Sequence, residues 1–274
     1  MIAALDDRAL ARVGGEDAAT FLQGLVTCDV ERLGSGGAAF GALLSPQGKI
    51  QFDFFVTRLG DGFLFDVARP MRDDFIRRLN FYKLRAKVAT AAEDGLAIHA
   101  AWGGPCEAAG GIAIADPRLA EMGTRVYSAR APQGEAGDYE VHRISLGMPE
   151  GGKDFVYGDC FPHEALMDQF GGVDFAKGCY VGQEVVSRMQ HRGTARTRIV
   201  MVEAEASLPA FNTDILAGGR PAGTMGSSAG RLGLARLRLD RVSEALAAGA
   251  LVTAGSLVVT VRLQPWVRFG WPRE

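Results

Sequence analysis

The chain has 274 residues, 47% hydrophobic and 23% charged, which is enough apolar material for a sizeable core in one large or two smaller domains. A formal net charge of -2 lacks the basic excess of a nucleic-acid binder, and no apolar run is long enough to span a bilayer. The opening Met1-Ile2-Ala3-Ala4-Leu5-Asp6-Asp7 has neither the regions of a secretory signal nor the acid-poor start of a transit peptide, so a cytoplasmic location is expected by elimination, with no membrane and no direct nucleic-acid partner.

The first predicted element is a helix over 16–26, with Ala18, Phe21, Leu22 and Leu25 on one face. A strand over 38–44, a Ser45-Pro46-Gln47-Gly48 turn, an alternating strand from Ile50 to Val56 and a strand over 63–67 form an antiparallel meander. In that alternation Asp53 is expected to face water, although an acid among aromatics could also bond a flat heterocycle. Pro70 opens a helix with Met71, Phe75 and Leu79 at helical spacing. The stretch 82–89 alternates Leu84, Ala86 and Val88 with Lys83, Arg85 and Lys87, predicting a strand with one cationic face. That face could receive an anion such as the carboxylates of a folate tail or RNA phosphates; a solvated edge is the simpler reading.

Short strands are predicted over 96–101, 111–115 and 124–127, and 138–146 reads as a short helix or a strand, the helix being favoured. Loop-rich chain follows between Gly151-Gly152 and Gly171-Gly172. After 193 the pattern changes to short strands at 198–204, 214–217, 224–227, 232–238 and 257–263, with one helix over 240–248, which predicts a small barrel. Trp266, Phe269 and Trp271 are expected to pack under it. The boundary is placed near Thr194, giving an α+β region over 1–193 and a C-terminal β-barrel over 194–274. No Gly-x-Gly-x-x-Gly or Walker-type loop supports dinucleotide or nucleoside triphosphate chemistry.

Chemistry concentrates in Lys177-Gly178-Cys179-Tyr180-Val181-Gly182-Gln183-Glu184. The four cysteines, Cys28, Cys106, Cys160 and Cys179, are scattered and expected to be reduced thiols. A thiol acts as nucleophile or ligand only as thiolate, and Lys177 and a helix beginning near Gln183 would favour that form at Cys179. The alternative is a buried, inert Cys179. His191 could exchange a proton with the thiol, or simply lie on the surface. Cys160, His163, Cys179 and His191 are metal-compatible, but Cys160 and His163 flank Pro162 and no second close pair exists. A single Cys179 holding a cluster transiently, with a partner completing the ligands, is the more credible metal role.

The octet resembles the signature of the YgfZ family of folate-binding proteins, which includes bacterial regulators of tRNA-modifying enzymes and mitochondrial iron–sulfur assembly factors. Further blocks fall in the family's order: the segments 21–30, 44–49, 82–88, Asp116-Pro117-Arg118, 147–151 and 161–164. The resemblance extends to the glycine-cleavage aminomethyltransferase, or T-protein, whose counterpart of the octet has no cysteine. It implies tetrahydrofolate in a cavity contacted by Gly178, Tyr180, Gly182, Gln183, Glu184 and Arg85, with Cys179, Lys177 and His191 as the chemical residues. Implied partners are iron–sulfur assembly proteins and client [4Fe–4S] enzymes, including radical-SAM tRNA-modifying enzymes. The implied role is an assembly or repair factor rather than a classical enzyme; a tetrahydrofolate-dependent aminomethyl or methyl transferase is the alternative.

Overall fold

The computed structural model describes residues 1–104, 106, 110–193 and 195–272. They divide into two compact units, Met1–Tyr139 with Phe170–Val185, and Glu140–Gln169 with Val186–Glu274. Thr194, the anticipated boundary, lies outside the described residues.

In chain order the first unit contains β1 (Ile2–Ala4), β2 (Arg8–Gly14), α1 (Ala18–Gln23), β3 (Ala38–Leu44), β4 (Ile50–Leu59), β5 (Gly62–Ala68), α2 (Arg72–Tyr82), β6 (Ala89–Glu93), β7 (Ala97–Ala101), β8 (Ile112–Ala115) and β9 (Thr124–Ser128). The predicted meander forms β3, β4 and β5, and β2 and β6 complete an antiparallel sheet of order β3-β4-β5-β2-β6. A second sheet has the order β1-β7-β9-β8. Phe54 and Phe65 of the sheet, Phe75 and Leu79 of α2, and Ala18 and Leu22 of α1 share one buried core. Their rings meet edge-on or tilted, with centroids 5.0 Å apart for Phe54–Phe65 and 5.2 Å for Phe65–Phe75, the geometry that ring quadrupoles favour.

The other face of the large sheet is covered as well, and this corrects the expectation for Asp53, which is buried. Alternation identifies two faces of a strand but cannot reveal that a second layer lies over the polar one. In that layer Asp66 on β5 accepts from Arg8 Nε at 2.7 Å and from Arg125 Nη1 at 3.2 Å, tying β9 of the small sheet to the large one. The Arg125 and Arg118 guanidinium carbons lie 4.2 and 4.6 Å from the Phe55 ring centroid.

Two further expectations change. α1 is shorter than 16–26, because the chain turns at Gly24 and Thr27 N–H already bonds Ala42 O at 3.0 Å. The predicted strand over 82–89 does not form: α2 runs through Tyr82, Lys83 caps it, and Leu84 takes the left-handed conformation with φ 43°. Ala86 N–H then bonds Lys83 O at 2.7 Å, closing a turn before β6. The alternation there is a helix end followed by a turn.

The remaining elements are α3 (Tyr139–Ser145), α4 (Gln183–Arg192), β10 (Thr197–Glu203), β11 (Asp214–Ala217), β12 (Arg220–Ala229), β13 (Leu232–Arg238), α5 (Leu239–Ala247), β14 (Val252–Ala254), β15 (Leu257–Val258) and β16 (Thr260–Arg262). The seven strands pair in the order β15-β14-β11-β12-β13-β10-β16. The two edge strands are neighbours in sequence, so the sheet curls into a nearly closed barrel. Leu239, Val242 and Ala245 of α5 join its core, and Phe269 and Trp271 pack against it. Within this unit the loop-rich chain before 169 is held by the buried Arg143, which donates to Asp154 and Glu140, each at 2.7 Å, and to Met148 O at 3.0 Å.

Candidate functional site

Between Gly171 and α4 the first unit carries a loop with little regular structure and many fixed points. Thr27 Oγ1 donates to Gly172 O at 2.6 Å, and Asp174 N–H donates to Thr27 O at 2.9 Å. The Asp174 carboxylate then accepts from Ala176 and Lys177 N–H at 2.7 and 3.0 Å, a local turn typical of this residue. These bonds fix the loop against the chain leaving α1.

Lys177 is buried, and its Nζ donates to Val26 O at 2.7 Å and Cys28 O at 2.8 Å. The ammonium also lies 5.5 Å from the Tyr180 ring centroid. Burial pushes the Lys177 pKa down, against the raising effect of nearby acidic groups. Lys177 therefore anchors the loop through two main-chain carbonyls; the structure shows its ammonium on those carbonyls and gives no bond to Cys179.

Past the anchor the chain surfaces. Gly178 and Cys179 are exposed, then Tyr180 is buried again. Burial raises the Tyr180 pKa to about 12, and its hydroxyl has no hydrogen-bond partner among the described residues. Gly182 closes the loop with φ 82°, and a side chain there would begin 2.6 Å from Ser45 O. The hairpin turn between β3 and β4 is thus the floor on which the loop ends. α4 starts at the next residue, as the glycine-then-helix pattern predicts, with Gln183 and Glu184 in its first turn. Glu184 there complements the positive end of the helix.

The four thiols are free and differ sharply in access. Cys28 is buried, and desolvation is the main cause that raises its pKa to about 12, with Lys177 opposing. Cys160 is buried, and desolvation holds its pKa well above the ordinary thiol range. Cys106 is half-buried and Cys179 is exposed. The exposed thiol is therefore the one in the octet, between an unhindered glycine and a buried tyrosine.

Other predicted residues fall elsewhere. Arg85 is exposed in the turn after α2. His191 is exposed in the last turn of α4. His163 is buried and its Nε2 shares a hydrogen bond with Gln190 Oε1 at 3.0 Å. Among the described residues no group of three His, Cys, Asp or Glu side chains is placed to hold a metal ion. Sequence reasoning missed the floor of the site, the carbonyls of Val26 and Cys28 and the packing of Gly182 on Ser45. Only the turn signal at 45–48 pointed toward it.

Known proteins similar to this chain now bear on the site. Residues 196–269 match the family model of the CAF17 C-terminal β-barrel domain. The Mus musculus protein named iron–sulfur cluster assembly factor IBA57, mitochondrial, is 33% identical over 87% of this chain and 77% of its own length. The Homo sapiens protein of the same name is 32% identical over 98% of this chain and 84% of its own length. The crystal structure of the glycine cleavage system aminomethyltransferase T from Bartonella henselae superposes with a TM-score of 0.73, at 14% identity, over 97% of this chain and 86% of that one. The T-protein fold with a C-terminal barrel is thereby shown, as the α+β reading anticipated. The relatives bear the name IBA57 rather than YgfZ, which corrects the expected family name. They are also named as mitochondrial, which overturns the cytoplasmic expectation; composition and a plain opening segment do not report compartment.

Proposed function

We propose, for a chain that belongs to the IBA57 family of iron–sulfur cluster assembly factors, that Cys179 is the thiol with which it handles clusters on their way to client [4Fe–4S] enzymes, radical-SAM tRNA-modifying enzymes among them. The observation that carries this is the exposure of Cys179 on a loop otherwise pinned by Lys177, Asp174 and Gly182. In the proposed step the Cys179 thiol gives its proton to solvent. Its sulfur displaces one donor thiolate from an iron of the cluster, which is cargo; the released thiolate takes up a proton from solvent, and thiolates of the donor or recipient protein keep the other positions. A rigid loop limits the freedom lost when the ligand set assembles.

Gly178 supports this reading. Its φ is not in the region that demands glycine, and a side chain there would meet nothing within 4 Å. The fold itself has no use for a glycine at 178, whereas a partner's backbone or a ligand approaching Cys179 does.

A reduced folate is the cofactor that the fold suggests. The fit rests on Tyr180, whose buried, unpartnered hydroxyl is the kind of polar atom a bound heterocycle or amide would satisfy. Tyr180 would hold it, with Gly178 leaving backbone open for close approach. When bound, a reduced folate supplies a one-carbon carrier. Gln183 and Glu184 remain proposed contacts with no orphaned atom to support them; Arg85, exposed in the turn after α2, is left out of the proposed folate contacts.

The test is to reconstitute a cluster donor and an apo [4Fe–4S] acceptor with wild type and Cys179→Ser, with and without tetrahydrofolate. Faster acceptor activation by wild type alone supports the proposal. Equal activation by Cys179→Ser, or turnover of an aminomethyl donor with tetrahydrofolate by both, would replace it with the transferase reading.

A further inference from the structure

The C-terminal end of α2 carries a surface that the cysteine loop does not use. Phe81 is 72% exposed and Leu84 is 88% exposed. Phe81 lies between Arg77 and Arg78 on the wet side of α2, away from the buried Phe75 and Leu79. Leu84 occupies the position after the helix cap with φ 43°, where the chain ordinarily places glycine. A leucine in the left-handed region is disfavoured, and this one makes up for nothing by burial. The fold thus holds a large apolar side chain out in solvent at a position where a glycine would serve it better.

The surroundings are cationic. Arg77 pairs with Asp74 and Lys87 with Glu16, while Lys83 Nζ is turned onto Val88 O at 3.3 Å. Arg78 and Arg85 are exposed and make no ion pair among the described residues. Anionic lipid recognition draws on about 4–8 clustered cations, and two unpaired ones fall short of that. Two apolar knobs flanked by two free guanidinium groups match a protein surface with an apolar recess and carboxylates at its rim. The surface is also tied to the cysteine loop within the same unit. Lys87 N–H donates to Asp17 Oδ2 at 2.7 Å ahead of α1, and the carbonyls of Val26 and Cys28 beyond α1 hold Lys177. A helix of six residues, about 9 Å long, separates the two anchor points.

We infer that Phe81, Leu84, Arg78 and Arg85 form a docking surface for an acidic protein partner, namely the cluster donor or recipient that Cys179 serves. The inference rests on the assembly-factor reading above. Its test places photoreactive p-benzoylphenylalanine at position 81 of the full chain in cells, with a control probe at Leu251, an exposed position of the second unit. The expected result is an adduct to an iron–sulfur or cluster-assembly protein, identified by mass spectrometry, whose cross-linked segment carries carboxylates beside an apolar residue. Arg78→Glu with Arg85→Glu should lower its yield at least tenfold. Leu84→Gly should also lower it while keeping or raising the melting temperature, which separates docking from folding. Adducts with phospholipid only, a yield no higher than at Leu251, or a yield indifferent to Arg85→Glu would overturn the inference. Cys179→Ser should keep the adduct. A missing adduct alongside an inactive Cys179→Ser variant would discard the surface and leave the thiol's role standing; a retained adduct with an active Cys179→Ser would do the reverse.

Discussion

Gly48 and Gly182 pack against each other, each in a left-handed conformation and each with little room for a side chain. A Cβ on Gly182 would lie 3.1 Å from Gly48 Cα, and one on Gly48 would lie 3.4 Å from Gly182 O and 3.0 Å from Val185 Cβ. Both have positive φ, 79° and 82°. This contact joins the β3–β4 turn to the end of the cysteine loop, two segments that lie far apart in the chain.

Gly182→Ala is therefore expected to lower stability by about 1–3 kcal/mol through backbone strain and the clash with Ser45 O. Gly48→Ala should act in the same range, and the double variant should fall short of the sum because the two share one contact. Denaturant midpoints of the three proteins check this.

Gly178 makes the opposite prediction. Gly178→Val should change stability by no more than about 0.5 kcal/mol, since nothing surrounds it. It should nevertheless reduce acceptor activation, because the β-branched side chain stands where the incoming group must approach. An unfolding curve and an activation assay on the same sample separate the two effects. Full activity would remove the argument from Gly178.

Thiol access gives a chemical prediction. Brief iodoacetamide treatment of the native protein near neutral pH should label Cys179 faster than Cys28 or Cys160 by more than about tenfold, because the buried pair react only through opening of the fold. Peptide mass spectrometry reads the order. Labelling of Cys28 before Cys179 would contradict the placement of both.

The pH dependence has a definite sign. The Cys28 pKa rises from an ordinary 9.0 to about 12 on burial, so the folded state keeps a proton that the unfolded state loses. Its contribution to stability is whole below the ordinary thiol pKa and is lost as pH rises toward about 12. Cys28→Ala should thus show a shallower loss of stability above pH 9 than wild type, whatever its stability at neutral pH. Parallel curves would rule out this role for the thiol.

How much of this was legible in the sequence depends on whether a local period or a long-range contact decides. Phe52, Phe54 and Val56 announced β4, and the turn residues 45–48 announced its hairpin. Asp53 is buried although alternation puts it on the polar face, because a period of two cannot show that a second layer covers that face. Leu84 read as a strand residue because a helix end followed by a turn mimics alternation over a few positions. β2 escapes a sequence reading because Arg8 and Arg12 interrupt an otherwise apolar run, and the buried Arg8 has its guanidinium on Asp66. At the site, Cys179 and Gly182 stood out by type and spacing. Lys177 drew notice for its charge beside a thiol, yet its ammonium points to Val26 O and Cys28 O, partners about 150 residues earlier that no local pattern reveals.

The account turns on one thiol, and the most direct measurement is [4Fe–4S] enzyme activity in cells lacking this protein that are supplied with wild type or Cys179→Ser at equal folded amounts. The account predicts that Cys179→Ser restores little or none of the activity that wild type restores, with an unchanged melting temperature. Restoration to the wild-type level by Cys179→Ser would contradict it.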